Sequence, residues 1–371
     1  MNKVKLGEIL KIKHGFAFKS ENYVDESEYA LVTLANISST NNFQFNKDKT
    51  TFYGAPFPDD FILKEDDLIM PLTEQVVGLF GNTAFVPKMQ GITFVLNQRV
   101  GKVVPVDGKA DKYYLHYLLA TNLVKDQLEY RASGTRQRNI SPDDVYDVEV
   151  FLPDIVTQRK IGKCLYDIEK KVNLNNAIND NLAAMAYDIY MHSFFSKKPN
   201  AKLKDILIEA DKSSVQVGEA KQSTGEYPFF TSGSAILKWD TPFIDGRNCF
   251  LNTGGNADVK FYVGAAAYST DTWCISANNN MSDYLYLLLV SIKPELNQKF
   301  FQGTGLKHLQ KPLLKDRPIY IPDFEELKTF NEQVNPMLNI ISENTRENQE
   351  LITLRDWLLP MLMNGQATIS D

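Results

Sequence analysis

The sequence predicts an α+β protein made of two tandem modules, each with a mixed α/β domain followed by a long helix. Three observations predict this fold class: an internal repeat, strand-like segments in the first part of each copy, and a heptad pattern in the last part. With 371 residues, the chain is long enough to form two domains with separate cores. The repeat adds a pseudo-twofold character, because similar elements are expected in the same order in both modules.

The two halves of the chain repeat each other at two different offsets. Residues 5–10 (KLGEIL) return as residues 202–207 (KLKDIL), an offset of 197 residues. Three later segments share an offset of 169 residues: Gly134-Thr135 with Gly303-Thr304, residues 150–154 with 319–323, and Leu182 with Leu351. The first copy therefore carries 28 more residues in its centre. Solenoid repeats are about 20–50 residues long, so this longer period indicates a duplicated domain.

The first part of each copy contains segments that are typical of β-strands, because they are β-branched and apolar and are bounded by turn residues. These segments are residues 29–34, 67–70 and 92–96 in the first copy and residues 227–231, 249–251 and 260–263 in the second. A helical run follows in each copy, at residues 112–130 and 282–302. The aromatic and leucine side chains at the start of both runs predict core packing.

The last part of each copy has the alternating four-and-three spacing of a coiled coil. The seam positions are Ile161, Leu165, Ile168, Val172, Asn175, Asn179, Leu182, Ala186 and Ile189, and then Phe330, Val334, Met337, Ile341, Asn344, Asn348, Leu351, Arg355 and Leu358. Both seams have two asparagines at matching positions, where a polar residue fixes the register at a cost in stability. We therefore predict that the helices pack together, asparagine layer against asparagine layer. The alternative is two unrelated amphipathic helices, each covering its own domain.

The starts of the two helices are marked by Pro153-Asp154 and Pro322-Asp323, which place an aspartate at each N-cap. Glu326 completes a capping box with Asp323. A helix of roughly 40 residues spans about 60 Å, which suits a spacer. The predicted boundaries are 1–153 for the first domain, 154–198 for its helix, 199–322 for the second domain and 323–371 for the second helix.

The composition argues against several classes of protein. No apolar run is long enough to span a membrane, and the charged start is unlike a secretory signal, so the cytoplasm is the expected location. Three cysteines without CxxC spacing and four scattered histidines predict neither a disulfide framework nor a metal site. The net charge of −6 is unlike that of a basic nucleic-acid binder, although local basic patches remain compatible with phosphate binding.

No catalytic residues are predicted. The sequence has no Walker loop, no GxGxxG after a strand, no GxSxG and no HExxH. Pro322-Asp323 and residues 326–328 (ELK) resemble a PD…ExK nuclease pattern, but the two parts are almost contiguous and fit a helix cap better. The chain is therefore expected to bind rather than to catalyse.

Each copy has a basic, glycine-containing loop just before the strand that leads into the long helix. Arginine can contact guanine, asparagine or glutamine can contact adenine, and lysine can contact phosphate. A single loop of this kind would be read as a solvated charged loop, but two at equivalent positions favour binding. Polar residues in the variable centres add candidates, each of which taken alone is more often an ordinary turn. The candidate DNA-binding residues are Thr73, Gln75, Gln98, Arg99, Arg131, Thr135, Arg136, Gln137 and Arg138 in the first copy, and Ser232, Ser234, Lys238, Trp239, Asn252, Asn256, Thr304, Lys307 and His308 in the second.

On these motifs the chain resembles the DNA specificity (S) subunits of type I restriction–modification systems, over nearly its whole length. The resemblance rests on the order of residues 5–9, residues 227–233, the Gly-Thr loops, the apolar strand ends before proline and the two long helices. It implies two target-recognition domains, each reading half of a split duplex DNA site, held apart by an antiparallel helical pair. It also implies a non-catalytic subunit of a host-defence complex.

The resemblance further implies partners and cofactors. Two methyltransferase (M) subunits and restriction (R) subunits are the expected partners, and S-adenosylmethionine, ATP and Mg²⁺ are expected in those partners rather than in this chain. Methylation would occur at adenine N6 after base flipping by the partner. The two centres differ, so the half-sites are expected to differ. Arg355 stands where the first copy has Ala186, and imperfect helix pairing is expected near that end.

Three alternatives remain open at the level of the sequence. The chain could be an enzyme in its own right, a nuclease or a methyltransferase, despite the missing motifs. It could be a protein-interaction scaffold without a role on DNA. It could also be an orphan or half-specificity protein that regulates other complexes.

Overall fold

The computed structural model of the protein describes residues 2–75, 77–134 and 137–369. The first of its two units comprises residues up to Glu169 together with the segment that begins at Leu354, and the second comprises Lys170–Thr353. Each unit combines sheets with helices and contains part of both long helices. The predicted α+β class with two tandem mixed domains is therefore confirmed. Within the described ranges, no helix has both the length and the apolar character needed to cross a bilayer.

The first domain is built on two four-stranded sheets. Its strands are β1 (Asn2–Lys5), β2 (Leu10–His14), β3 (Tyr23–Val24), β4 (Tyr29–Val32), β5 (Phe52–Tyr53), β6 (Leu68–Pro71), β7 (Thr73–Glu74), β8 (Ala84–Phe85), β9 (Thr93–Leu96), β10 (Val100–Pro105), β11 (Arg138–Asn139) and β12 (Glu149–Leu152). Its helices are α1 (Lys112–Leu119), α2 (Asn122–Arg131), α3 (Pro142–Tyr146) and the long α4 (Ile155–Phe194). One sheet is antiparallel in the order β2-β10-β6-β8, and the other has the order β3-β5-β4-β9 with β4 and β9 parallel.

The second domain has the same plan. Its strands are β13 (Ala201–Lys202), β14 (Leu207–Glu209), β15 (Tyr227–Phe230), β16 (Ile236–Trp239), β17 (Arg247–Asn252), β18 (Val259–Val263), β19 (Ala267–Tyr268), β20 (Thr272–Ala277), β21 (Phe301–Gln302), β22 (His308–Leu309) and β23 (Pro318–Ile319). Its helices are α5 (Val217–Ala220), α6 (Ser282–Ser291), α7 (Lys293–Glu295), α8 (Lys311–Lys315) and the long α9 (Phe324–Met363). The sheet order β14-β20-β17-β18 matches that of the first domain, and β15 and β19 are parallel like β4 and β9.

The repeated ends of the two domains form the same structure. Strand β1 pairs with β12, and β13 pairs with β23, so in each domain the first strand closes on the strand before the long helix. An ion pair accompanies each closure: Lys5 Nζ lies 2.8 Å from Asp147 Oδ1, and Lys202 Nζ lies 3.2 Å from Asp316 Oδ1. Asp147 and Asp316 are related by the 169-residue offset, and the two lysines by the 197-residue offset. Both offsets therefore correspond to structural elements that the two domains share.

The predicted strands are confirmed, but the two predicted helical runs are wrong in their continuity. The first run is split into α1 and α2 because Thr121 leaves the helical region, and its hydroxyl donates to Leu118 O at 2.7 Å. The second run is interrupted near Pro294, which has no backbone N–H to continue a helix, and it ends in a π-helical turn at Leu296–Phe300. The predicted burial of the aromatic stripe is confirmed, since Tyr114 and Tyr284 are fully buried.

Each domain packs its core against the long helices. In the first unit, Ile161 and Leu165 of α4 join Tyr114 and Leu362 in one buried cluster. In the second unit, Phe194 at the end of α4 packs edge-on against Tyr284, with ring centroids 5.2 Å apart. Strand β17 also holds α9 through Arg247, which pairs with the buried Asp283 and donates to Asn339 Oδ1 at 2.7 Å. The long helices are therefore structural parts of both units.

Both predicted helix caps are present. Asp154 Oδ1 accepts hydrogen bonds from the backbone N–H groups of Val156 and Thr157, both at 3.0 Å. Asp323 and Glu326 form the predicted capping box: Glu326 N donates to Asp323 Oδ1 at 2.9 Å, and Asp323 N donates to Glu326 Oε2 at 3.2 Å.

The asparagine layers face each other within the second unit, as predicted. Asn175 Nδ2 donates to Asn348 Oδ1 at 2.9 Å, and Asn344 Nδ2 donates to Asn179 Oδ1 at 2.8 Å. Because Asn175 precedes Asn179 while its partner follows Asn344, the helices run antiparallel. Asn348 also donates to Asn176 Oδ1 at 2.9 Å, so it is bonded to two residues of the other helix, which helps to fix the register.

Arg355, which stands where the first copy has alanine, lies near a buried carboxylate of the first unit, Glu169. Burial raises the pKa of Glu169, but His116, Tyr117 and Arg355 together hold it below its ordinary value. Tyr117 donates to Glu169 Oε2 at 2.9 Å, and His116 Nε2 lies 3.5 Å from the same oxygen. The Arg355 guanidinium itself pairs with Asp356, whose Oδ1 accepts from Nε at 3.0 Å and from Nη2 at 2.8 Å, so its effect on Glu169 is that of a nearby charge.

Replacing Asn175 by leucine should lower the free energy of unfolding by about 1–3 kcal/mol, because Asn348 Oδ1 would lose the donor that reaches it in the buried seam. The double variant N175L/N348L should recover most of this loss, since replacing both partners by apolar groups leaves fewer unsatisfied groups. Urea unfolding of the two variants and of N348L measures this coupling. Additive effects of the two single changes would contradict it.

Candidate nucleic-acid interface

Three loops of the first unit meet at one end of the strands of the sheet β2-β10-β6-β8. They are the segment after β6 (residues 72–75), the turn between β9 and β10 (residues 97–99) and the loop that contains β11 (residues 133–139), described except at 135 and 136. Leu72 joins all three, because its N–H donates to Arg99 O at 2.9 Å and its carbonyl accepts from Ile140 N at 3.0 Å. We call these residues the first loop cluster.

The second unit has an equivalent arrangement, the second loop cluster, made of residues 252–256, 269–271 and 301–309. Thr253 takes the place of Leu72: its N–H donates to Asp271 O, and its carbonyl accepts from Leu309 N, both at 3.0 Å. Gly255 N also donates to Lys307 O at 2.9 Å. The same hydrogen bonds in both units mean that the duplication extends to this edge of the sheet.

The repeated glycines are required by the backbone of these clusters. Gly134 and Gly303 have φ angles of 107° and 153°, a region that side chains rarely adopt. A Cβ atom would lie 2.2 Å from Gln137 O at Gly134 and 2.6 Å from Leu306 O at Gly303. The repeated glycines therefore occupy equivalent positions at which a side chain does not fit.

Three predicted residues of the first loop cluster are exposed and can meet a ligand. Gln75, Gln98 and Arg99 are exposed, the last two in the turn between β9 and β10. Gln137 is half-buried and donates to Asn139 Oδ1 at 3.2 Å. Thr135 and Arg136 lie outside the described residues. The cluster thus presents amides and a guanidinium, the groups that recognise adenine and guanine edges.

Three other predicted residues of the first unit, in this cluster or just before it, have side chains that the protein itself buries or binds. Thr73 is buried on β7, which pairs with β11. Arg131 donates to Gln127 O within α2 at 2.9 Å and to Asp147 O, beyond this helix, at 3.2 Å. Arg131 thus binds protein carbonyls where the sequence suggested DNA, whereas the buried hydroxyl of Thr73 has no hydrogen-bond partner among the described residues.

Arg138 is the most strongly engaged of the three. Its Nη1 atom lies 3.0 Å from Glu74 Oε1 and 2.5 Å from Glu129 Oε2, and Nη2 donates to Glu129 O at 3.0 Å. The Glu74 side chain is fully buried and accepts from the N–H groups of Leu79 and Phe80 at 2.9 and 3.2 Å. Arg138 thus neutralises two carboxylates beneath the first loop cluster.

The second loop cluster exposes a different set of side chains. Asn256, Thr304, Lys307 and His308 are all exposed, the last three in or beside the β21–β22 hairpin. Asn252 is buried: its amide donates to Gly254 O and Asn256 O, both at 2.6 Å, and accepts from Asp258 N at 2.7 Å. Asn252 therefore shapes the loop that presents Asn256.

The remaining predicted residues of the second unit lie on the β15–β16 hairpin. Ser232 and Ser234 are in its turn, whereas Lys238 and Trp239 are half-buried on β16. This turn begins beside the second loop cluster, because Ser269 N donates to Phe230 O at 2.9 Å. Lys260 donates to Thr231 O at 2.8 Å and holds the turn, and burial lowers the pKa of that lysine. Trp239 packs on Phe229, with ring centroids 5.8 Å apart.

A polar groove of about 600 Å³ borders the second loop cluster. Its lining includes Thr253, Asp271, Trp273 and Lys311. Lys311 Nζ lies 4.8 Å from the centroid of the Trp273 ring, and burial lowers the pKa of this lysine. Acidic and basic side chains both line the groove, so it is not a uniformly basic surface.

Sequence reasoning missed the acidic partners Glu74 and Glu129 and the exposed hairpin residue Leu306. The repeat was a signal for the last of these, because Leu306 is related to Gln137 by the 169-residue offset. Among the described residues, no group of three histidine, cysteine, aspartate or glutamate side chains could hold a metal ion.

A duplicated domain with equivalent loop clusters and two paired long helices defines a tandem two-module protein. Comparison with known proteins gives the family. The family model of the type I restriction modification DNA specificity domain matches residues 1–184 and 197–352 of the sequence. The chain therefore belongs to this family, and the prediction of a non-catalytic specificity subunit is confirmed.

Individual relatives agree with this assignment. The MjaIX specificity subunit of Methanocaldococcus jannaschii is 19% identical over 318 residues, covering 74% of this chain and 73% of that protein. The EcoDI specificity subunit of Escherichia coli is 23% identical over 154 residues, covering 40% of this chain and 34% of that protein. The crystal structure of the type I restriction–modification S subunit from M. genitalium matches with a TM-score of 0.66 at 15% identity. That match covers 100% of this chain and 96% of the other, so the two proteins share a fold.

Proposed function

We propose that this chain binds a split duplex DNA site in a sequence-specific manner, as the specificity subunit of a type I restriction–modification complex. The observation that carries the proposal is the recurrence of one loop cluster in both units, with exposed polar and basic side chains in each. Since the backbone of the clusters is equivalent but their exposed residues differ, each unit reads a half-site of its own sequence. Membership of the DNA specificity family supports duplex DNA as the ligand.

The exposed residues divide into two chemical roles. Arg99 can donate two hydrogen bonds to a guanine edge, and Gln75, Gln98 and Asn256 can pair with adenine. Lys307 suits a phosphate, which positions the protein on the duplex without reading its sequence. Because the chain has a net charge of −6, its attraction to DNA depends on these local cations.

The proposed partners are methyltransferase and restriction subunits. The relatives are specificity subunits of type I restriction enzymes, which supports a role within such a complex. In this proposal S-adenosylmethionine, ATP and Mg²⁺ are bound by the partners, and this chain positions them on DNA. Duplex DNA as the ligand makes the cytoplasm the proposed place of action.

Replacing Arg99 by alanine should weaken binding by about 1–3 kcal/mol and relax selectivity at one position of one half-site, as expected for a lost guanine contact. Stability should stay within about 0.5 kcal/mol, because the Arg99 side chain is exposed. Selection of bound duplexes from a random library by the full chain with its methyltransferase subunits measures both effects. Lys88→Ala, another exposed cation of the first unit, is the matched control.

Two outcomes would contradict the proposal. Affinity for DNA that does not change with salt concentration would point to a scaffold without a DNA role, because phosphate contacts release counterions. Selected duplexes with no common sequence would point to non-specific binding, and Arg99→Ala would then behave like the control.

A further inference from the structure

An apolar side chain lies in the middle of the second loop cluster. Leu306 is 66% exposed, and every residue from 302 to 308 is exposed as well. Its neighbours Thr304, Lys307 and His308 are polar or basic, so the leucine stands alone in a polar hairpin. A single exposed leucine is common on protein surfaces and means little by itself. Two further features distinguish Leu306: the hairpin that holds it and its place in the repeat.

The hairpin holds Leu306 in one place. Phe301 pairs with Leu309 and Gln302 pairs with His308, and the tight turn at Gly303 fixes the start of the tip. A Cβ atom on Gly254 would lie 3.7 Å from Leu306 Cδ2, so one face of the leucine is backed by the neighbouring loop. The other face is open. Leu306 therefore presents its methyl groups close to the surface of the hairpin. An apolar wedge that inserts between base steps would have to project further from the protein.

The equivalent residue of the first unit is Gln137, at the 169-residue offset, and in both units the carbonyl of this residue lies beside the repeated glycine. One position that the two domains share therefore holds an amide in one unit and an isobutyl group in the other. In the major groove, glutamine pairs with adenine, whereas an apolar side chain contacts the 5-methyl group of thymine. We propose that Leu306 determines specificity by contacting a thymine methyl group in the half-site of the second unit.

This inference rests on the proposed function, since it assigns a base contact to one of the two loop clusters. It predicts that one selected half-site contains a thymine whose methyl group contributes to binding. It also predicts that Leu306→Ala removes this contribution and leaves the other half-site unchanged.

Replacing thymine by deoxyuridine tests the contact, because it removes the methyl group and keeps the base pair. The full chain with its methyltransferase subunits is first used to select duplexes, and each thymine of the selected site is then replaced in turn. One replacement should weaken binding of the natural protein roughly fourfold, as expected for one methyl group. Leu306→Ala should bind both duplexes equally. Leu306→Gln should prefer adenine to thymine at that position.

The control variant is Leu174→Ala, which removes another exposed leucine of the second unit, on α4. It should keep the response to deoxyuridine. Half-sites without thymine, or a response to deoxyuridine that persists in Leu306→Ala, would overturn the inference. Weaker binding of Leu306→Ala without any response to deoxyuridine would also overturn it. By contrast, failure to select any common sequence would contradict the proposed function itself.

Discussion

Replacing Arg138 by alanine should lower the free energy of unfolding by about 3 kcal/mol, because it leaves the fully buried Glu74 carboxylate without its cation. The effect should lie near the lower end of the range for buried pairs, since the Arg138 side chain keeps 19% of its exposure. Glu129 also loses its partner, at 2.5 Å from Arg138 Nη1. Urea unfolding of the purified variant measures the change.

A double variant separates this explanation from a general loss of packing. Glu74→Gln removes the buried charge but keeps an oxygen for the N–H groups of Leu79 and Phe80. Arg138→Ala combined with Glu74→Gln should therefore be more stable than Arg138→Ala alone. If adding Glu74→Gln lowers stability further, the buried charge is not the cause.

The same variant also distinguishes two roles for Arg138 on DNA. If the arginine supports the first loop cluster from below, its loss should abolish selectivity across the whole first half-site while the second half-site is still selected. If it contacts a base directly, selectivity should relax at one position and stability should stay unchanged. The two carboxylates at Arg138 favour the first outcome.

The two long helices, their caps and their pairing could be predicted from the sequence because their determinants are local or periodic. Heptad spacing and the asparagines at 175, 179, 344 and 348 define which faces of two helices meet. The caps at Asp154 and Asp323 depend on residues within one turn. By contrast, the parallel pairing of β4 with β9 joins distant segments, and no local pattern encodes it.

The chemistry of the loop clusters was harder to predict, because residue type does not reveal whether a polar side chain is already paired. Arg138 and Asn252 have the side chains of DNA-reading residues, but both are engaged in the protein. Arg99 and Lys307 have the same kind of chemistry and are exposed. The difference depends on partners such as Glu74, which the fold brings together through β7 and β11.

In the proposed split site, lengthening both long helices by whole heptads should lengthen the unread gap between the two half-sites. One heptad adds about 10.5 Å to a helix, and each base pair advances about 3.4 Å, so the gap should grow by about three base pairs. The insertions belong after residue 169 in α4 and after residue 353 in α9, where the chain passes between the two units. Each unit then keeps its own residues, and the asparagine pairs of the second unit are not interrupted.

The number of heptads should also affect affinity, because DNA turns as it advances. Three added base pairs rotate one half-site relative to the other by roughly a third of a DNA turn. A whole heptad, in contrast, leaves the helix seam on nearly the same face. Three heptads add about 31 Å, close to the 34–36 Å of one DNA turn. The three-heptad variant should therefore bind more tightly than the one-heptad variant, to a site with a gap longer by about nine base pairs. Selection of bound duplexes reads out both quantities. Inserting a heptad in α4 alone should disrupt the seam, and an unchanged gap in the double insertions would rule out the helices as the spacer.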